Sequence, residues 1–168
     1  MPDRHSLYTT AKNTPEAIAV CRELGELLGF ANVTLCLDVL ALNYFAILPE
    51  KQGRGYGTAV IRLLREGYPD RSIIIDIEDD AVPSDNPEQR TRRRAFYERL
   101  GFSAMPFRLT IFGVPSIILS SGRRYTFEEY TEIFSQVFSS WAVSRLVLTE
   151  TECLPCENAE PLRPQPKA

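Results

Sequence analysis

The sequence predicts a single mixed α/β domain, and three observations carry that expectation. Glycines 53, 55 and 57 stand where an apolar run ending at Leu48 hands over to a helical apolar stripe. Further along, short β-branched runs alternate with segments that carry helix start signals. The 168 residues are 44% hydrophobic, which is material for one core.

Taken in order, residues 1–14 are polar and show no pattern. Residues 15–30 admit two readings. Ile18, Cys21, Leu24 and Leu28 have helical spacing, yet Ala17–Arg22 and Leu27–Leu35 also read as two strands around a turn at Gly25. Val39–Leu48 is a strand that breaks at Pro49. After the glycines, Ala59, Val60, Ile61, Leu63 and Leu64 form a helix stripe stopped by Gly67 and Pro69. Ser72–Glu78 is a short buried strand. Asn86, Pro87 and Gln89 predict an N-cap, a first helical position and a capping box for a helix ending at Gly101. Phe107–Phe112 and Pro115–Ser120 read as strands flanking Gly113. Thr126 and Glu129 predict a second capping box, on a helix whose Phe127, Tyr130, Phe134, Val137 or Phe138, and Trp141 form a core stripe. The domain is expected to span residues 1–149, with 150–168 a disordered Pro-rich tail.

Several function classes are disfavoured. The net charge of −3 exerts no pull on nucleic acid or an anionic membrane. The arginines at 90, 92, 93, 94 and 99 point around a helix and cannot make one basic face. No apolar run is long enough to span a bilayer, and the first residues lack a signal-peptide core, so the expected compartment is the cytoplasm. Cys21 and Cys36 lie in apolar surroundings and read as buried. Cys153 and Cys156 form one C-x-x-C pair; with no second pair and one distant histidine, His5, no metal site is expected.

The glycine segment carries the chemistry. The first N–H groups of a helix have no partner within it and bear partial positive charge, and glycine lets a phosphate reach them. The spacing is not G-x-G-x-x-G, and no Gly-Lys-Ser/Thr follows. Gln52-x-x-Gly55-x-Gly57 instead resembles the acyl-CoA pyrophosphate loop of the GNAT superfamily of N-acetyltransferases. Phe96-Tyr97-Glu98-Arg99-Leu100-Gly101-Phe102, one strand and one loop downstream, resembles that superfamily's second hallmark.

The resemblance spans about residues 16–140 and implies a mostly antiparallel central sheet with flanking helices. It favours the hairpin for residues 15–30. It implies acetyl-CoA as acetyl donor, no metal, and a primary amine of a small molecule or peptide as acceptor. The sheet is expected to splay between Val39–Leu48 and Ser72–Ile77, with the pantetheine arm in the split. Main chain of Phe45, Ala46 and Ile47 would pair with that arm. Gly53, Gly55, Tyr56, Gly57 and Thr58 would hold the pyrophosphate, with side chains of Gln52 and Arg54 adding contacts. Tyr97, at the ordinary tyrosine pKa near 10, would protonate the leaving thiolate.

Asp76 and Glu78 share one face of their strand, and Glu78 is the candidate general base or cation attractor; a solvated acidic loop is its structural alternative. Where many relatives carry an Asn that contacts the cofactor, this chain has Arg90, which is expected to take over that contact. The strand and helices that open the family's fold are expected to be shortened here. The acceptor pocket is then built differently, or completed by a partner subunit, which leaves a homodimer open. The rival reading is a non-catalytic acyl-CoA-binding or interaction domain on the same fold.

Overall fold

The computed structural model describes residues 5–9, 16–23, 26–138 and 140–149, with side chains from residue 26 onward. The elements in order are β1 (His5–Thr9), β2 (Glu16–Glu23), β3 (Glu26–Cys36), β4 (Val39–Ile47), α1 (Tyr56–Gly67) and β5 (Ser72–Glu78). There follow α2 (Pro87–Arg99), β6 (Ser103–Ile111), β7 (Val114–Ser120), α3 (Phe127–Val137), α4 (Ser140–Val143) and β8 (Leu146–Thr149). The strands form one sheet in the order β1-β2-β3-β4-β5-β7-β6-β8. Every neighbouring pair is antiparallel except β4 and β5, which run parallel because α1 crosses between them.

Each face of the sheet has its own core. Alternate residues of the central strands, such as Leu40, Leu42, Ile73, Ile75 and Ile77, meet Val60, Ile61 and Leu64 of α1 and Tyr97 of α2. The opposite set, including Val39, Ala41, Ile74 and Ile118, meets Tyr130, Ile133 and Phe134 of α3. Arg65 ties the two helices of the first face together. It donates to the Leu100 carbonyl at 2.5 Å, and its guanidinium lies 5.2 Å from the Phe102 ring centroid.

One local event positions the site. β4 and β5 are paired only at Val39–Ser72, Leu40–Ile73 and Ala41–Ile74. Beyond that point β4 keeps β3 as partner to Ile47, and β5 keeps β7 to Glu78, so the two strands part. Asn43 is the cause on the β4 side. Val33 faces Leu42 and Asn32 faces Tyr44, which leaves Asn43 as an extra residue that bends the strand. Its Nδ2 donates to Asn32 Oδ1 and Thr34 Oγ1, both at 2.8 Å, and so holds the bulge. Gly29 serves the same region: a Cβ there would lie 2.0 Å from the Ala46 carbonyl oxygen, so only glycine lets β3 come so near.

The hairpin reading of residues 15–30 holds as β2 and β3. Other expectations are corrected. The patternless first residues contribute β1, and a short edge strand, β8, lies beside β6. Phe112 is not a strand end. With Gly113 it forms a two-residue turn in which both residues have positive φ, 50° and 82°. The Asn86 side chain makes no capping bond; its amide donates to Gln89 Oε1 at 3.2 Å, and its carbonyl oxygen receives Arg90 Nε. The Thr126–Glu129 capping box does form. Trp141 leaves the expected stripe because α3 ends at Val137; it is 62% exposed and stacks on Phe112. Cys36 is buried as expected, whereas Cys153, Cys156 and the expected tail lie outside the described residues.

Candidate active site

The glycine loop leaves β4 through a short 3-10 turn, Pro49–Lys51. Lys51 Nζ anchors it to Glu26 Oε2 on β3 at 2.6 Å. Gly53 and Gly55 have φ of 74° and 82°, the left-handed region that side chains resist. A Cβ at either would meet nothing within 4 Å, so open space lies before the loop. Gly57 differs: a Cβ there would approach Phe96 Cζ to 3.1 Å, and the ring would have to give way by a few tenths of an ångström. Gly55 is the N-cap of α1, whose own hydrogen bonding starts with the Ala59 N–H donating to the Gly55 carbonyl at 3.0 Å. The amides of Gly57 and Thr58 precede that bond and belong to the positive end of the helix. This is a cradle that fits a phosphate group.

Side chains contribute less to the cradle than the sequence suggests. Gln52 Nε2 is turned back to the Ile47 carbonyl at 3.0 Å, bracing the loop against the end of β4. That bond also uses a main-chain acceptor expected to face the pantetheine arm. Arg54 is exposed, and Tyr56 is half-buried at the first position of α1. Phe45 and Ile47 pack toward α1 and α2, while Ala46 is exposed on the other face.

Tyr97 comes to the site from α2, 3% exposed, with edge-on contacts to Phe96 and Phe102 at 5.0 and 5.3 Å between ring centroids. Its pKa is not the ordinary one. Burial raises it well above 10; the Arg93 charge opposes the shift and the Asp76 charge adds to it. Tyr97 therefore stays a proton donor throughout the neutral range.

Glu78 and Arg90, two residues singled out by sequence, meet each other. Arg90 donates to Glu78 Oε1 at 3.3 Å, to the Asp79 carbonyl at 3.2 Å and to Asn86 Oδ1 at 3.0 Å. Arg93 stands 4.0 Å from the second Glu78 oxygen. Arg90 thus fastens the start of α2 to the end of β5, and Glu78 is neutralised from two sides.

Asp76 is the residue that sequence reasoning passed over. It lies in the cleft where β4 and β5 part, lined by Leu42, Asn43, Ile75, Tyr130, Phe134 and Phe138 among others. The cleft is a shallow, open groove with a cavity volume of about 20 Å³. Asp76 is exposed at its mouth, and the protein packed around it partly desolvates its carboxyl, which raises its pKa. No arginine or lysine pairs with it among the described residues. The signal was present as a lone charge inside the β-branched run Ser72–Glu78, but its environment comes from α3, fifty residues away.

A glycine loop at a helix N-terminus, a split parallel strand pair leading from it, a buried tyrosine on α2 and a carboxylate in the split are gathered in this part of the fold. The family model for the GNAT acetyltransferase domain matches residues 14–104, more than half of the chain. The chain belongs to the GNAT acetyltransferase family. Solved structures agree on the fold. A protein from Bacteroides thetaiotaomicron assigned to the GNAT family aligns at TM-score 0.62 and 19% identity, covering 80% of this chain and 77% of that one. A GNAT acetyltransferase from Elizabethkingia anophelis, solved with acetyl-CoA bound, aligns at 0.56 and 12% identity, covering 72% and 99%. The ribosomal-protein-S18-alanine N-acetyltransferase from Escherichia coli aligns at 0.53 and 18% identity, covering 74% and 84%. No curated protein matches the sequence.

Among the described residues, no helix is long and apolar enough to cross a membrane.

Proposed function

We propose that this chain is an acetyl-CoA-dependent N-acetyltransferase that acetylates a primary amine of a small molecule or peptide by direct attack on the thioester. The observation that carries this reading is the parting of β4 and β5 after Ala41 and Ile74, next to the cradle of Gly53, Gly55 and Gly57. The fold neighbours add weight, since one is solved with acetyl-CoA and another is named for acetylating an alanine nitrogen.

Bound acetyl-CoA supplies an activated acetyl carbonyl. The residues that would hold it are mostly main chain: amides of Gly57 and Thr58 for the pyrophosphate, and the free edge of β4 near Phe45 and Ala46 for the pantetheine arm. Arg54 is the exposed cation within the loop. Tyr97 holds its proton at neutral pH and delivers it to the departing sulfur.

Calorimetric titration of acetyl-CoA into the wild type and a Gly55→Glu variant tests this. Binding in the micromolar range that disappears in the variant, with thiol released when amines are added, is the expected result. Binding without thiol release by any amine would leave a non-catalytic acyl-CoA-binding domain. Absence of binding to folded wild type would overturn the reading altogether.

A further inference from the structure

We infer that Asp76 is the counter-ion for the acceptor's ammonium group, and that α3 makes this an acetyltransferase for compact apolar monoamines. The inference rests on the acetyl-transfer reading above and names the substrate class of that same site.

The first argument is the location of charge. Asp76 and Glu78 are on the same face of β5, and Asp76 lines the cleft at the split. Glu78 is held by Arg90 and Arg93, and Asp80 receives Arg94 at 2.9 Å. Asp79 is 3% exposed and takes Arg108. The carboxylates that follow Asp76 are thus matched with arginines, whereas Asp76 has no such partner among the described residues. One uncompensated carboxylate in the cleft matches one ammonium group. Among the described residues, the cleft lining offers no second carboxylate for the further charges of a polyamine or a polycationic sugar.

The second argument is the wall. Leu42, Ile133, Phe134, Val137 and Phe138 line the cleft with carbon, and Phe134 and Phe138 have ring centroids 4.3 Å apart. Polar groups are few: Asn43, whose Nδ2 hydrogens are spent on the bulge, and Tyr130, whose pKa is raised by burial and further by the Asp76 charge. An ammonium head at Asp76 with an apolar body along α3 satisfies both halves of the cleft.

The third argument is the reach of Asp76 to both sides. Asp76 lines the cleft together with Tyr130 of α3, and its charge also reaches Tyr97 of α2. Protons then balance. The ammonium gives one proton to Asp76, which releases it to solvent through the mouth. The freed nitrogen pair forms the C–N bond at the acetyl carbon as the C–S bond breaks. Tyr97 gives its proton to sulfur and recovers one from the nitrogen as the amide forms.

The test uses the full chain saturated with CoA, titrated calorimetrically with 2-phenylethylamine, methylamine and spermidine, beside thiol release from acetyl-CoA with the same amines. The expected order is 2-phenylethylamine tightest. Asp76→Asn is expected to weaken it roughly 10- to 100-fold while leaving CoA affinity unchanged. Phe138→Ala, at a half-buried position, is expected to weaken 2-phenylethylamine but not methylamine. Preference for spermidine, or an Asp76→Asn variant that binds 2-phenylethylamine as well as wild type, overturns the inference while acetyl-CoA binding keeps the broader reading. Failure of acetyl-CoA itself to bind overturns both.

Discussion

The two faces of the sheet do different work with different materials. On the face covered by α1 and α2, the groups that would hold a carrier are backbone amides, exposed by glycines and by an unpaired strand edge. On the face covered by α3, the groups are side chains: one carboxylate, one tyrosine and a hydrocarbon wall. Backbone recognition is generic and compatible with one cofactor across many chains. Side-chain recognition is private to the chain, so the acceptor is read from α3 rather than from the glycine loop.

The largest effect expected is on the backbone side. Gly55→Glu puts a side chain at φ 82° and a negative charge into the open space before the loop. Acetyl-CoA affinity is expected to fall by at least about 100-fold, since both sterics and charge oppose a pyrophosphate. Near-wild-type affinity in calorimetry would mean that the carrier is held elsewhere. The second effect sits between the faces. Tyr97→Phe keeps the ring contacts with Phe96 and Phe102 and removes only the proton donor. We expect kcat to fall about 100-fold with acetyl-CoA affinity unchanged. A parallel loss of affinity would recast Tyr97 as a packing residue.

A third variant sets the two carboxylates of β5 against each other. Glu78→Gln removes a group already neutralised by Arg90 and Arg93. If Asp76 serves the acceptor, kcat/KM for the amine should change less than about threefold, with a stability change of about 1 kcal/mol, since the Gln side-chain oxygen can still accept from Arg90. A large loss of kcat/KM with an unchanged melting temperature would restore Glu78 as the base.

How far the sequence could be read follows the same division. Glycines 53, 55 and 57 announce the loop before α1 because backbone geometry depends on the local residues, and Ser72–Glu78 reads as a strand because β-branching and turn residues are local too. The hairpin of β2 and β3 was legible in outline once a strand pairing was set against a helical spacing. β1 and β8 were not, since a short edge strand is decided by the neighbour it joins. Trp141 was misplaced because periodicity says nothing about where a helix stops. Asp76 and Glu78 look equivalent in sequence. They differ in the fold because α2 brings arginines to one and α3 brings hydrocarbon to the other.

The smallest expected effect tests that difference without any substrate. Asp76 is raised in the folded chain by desolvation, while in the unfolded chain it titrates at the ordinary aspartate value. Below that value both states are protonated and Asp76 costs the fold nothing. As pH rises past it, the unfolded chain releases the proton first, so stability falls until the folded carboxyl also ionises. The groups facing it do not cancel the trend. The Tyr97 and Tyr130 hydroxyls stay protonated, and Arg93 lies within reach of Glu78. Asp76→Asn should therefore raise the melting temperature at neutral pH, with the gain shrinking to nothing in strong acid. A variant less stable than wild type at neutral pH would mean that the carboxylate has a partner in the fold. Asp76 would then be a structural residue, and the two carboxylates of β5 would be alike after all.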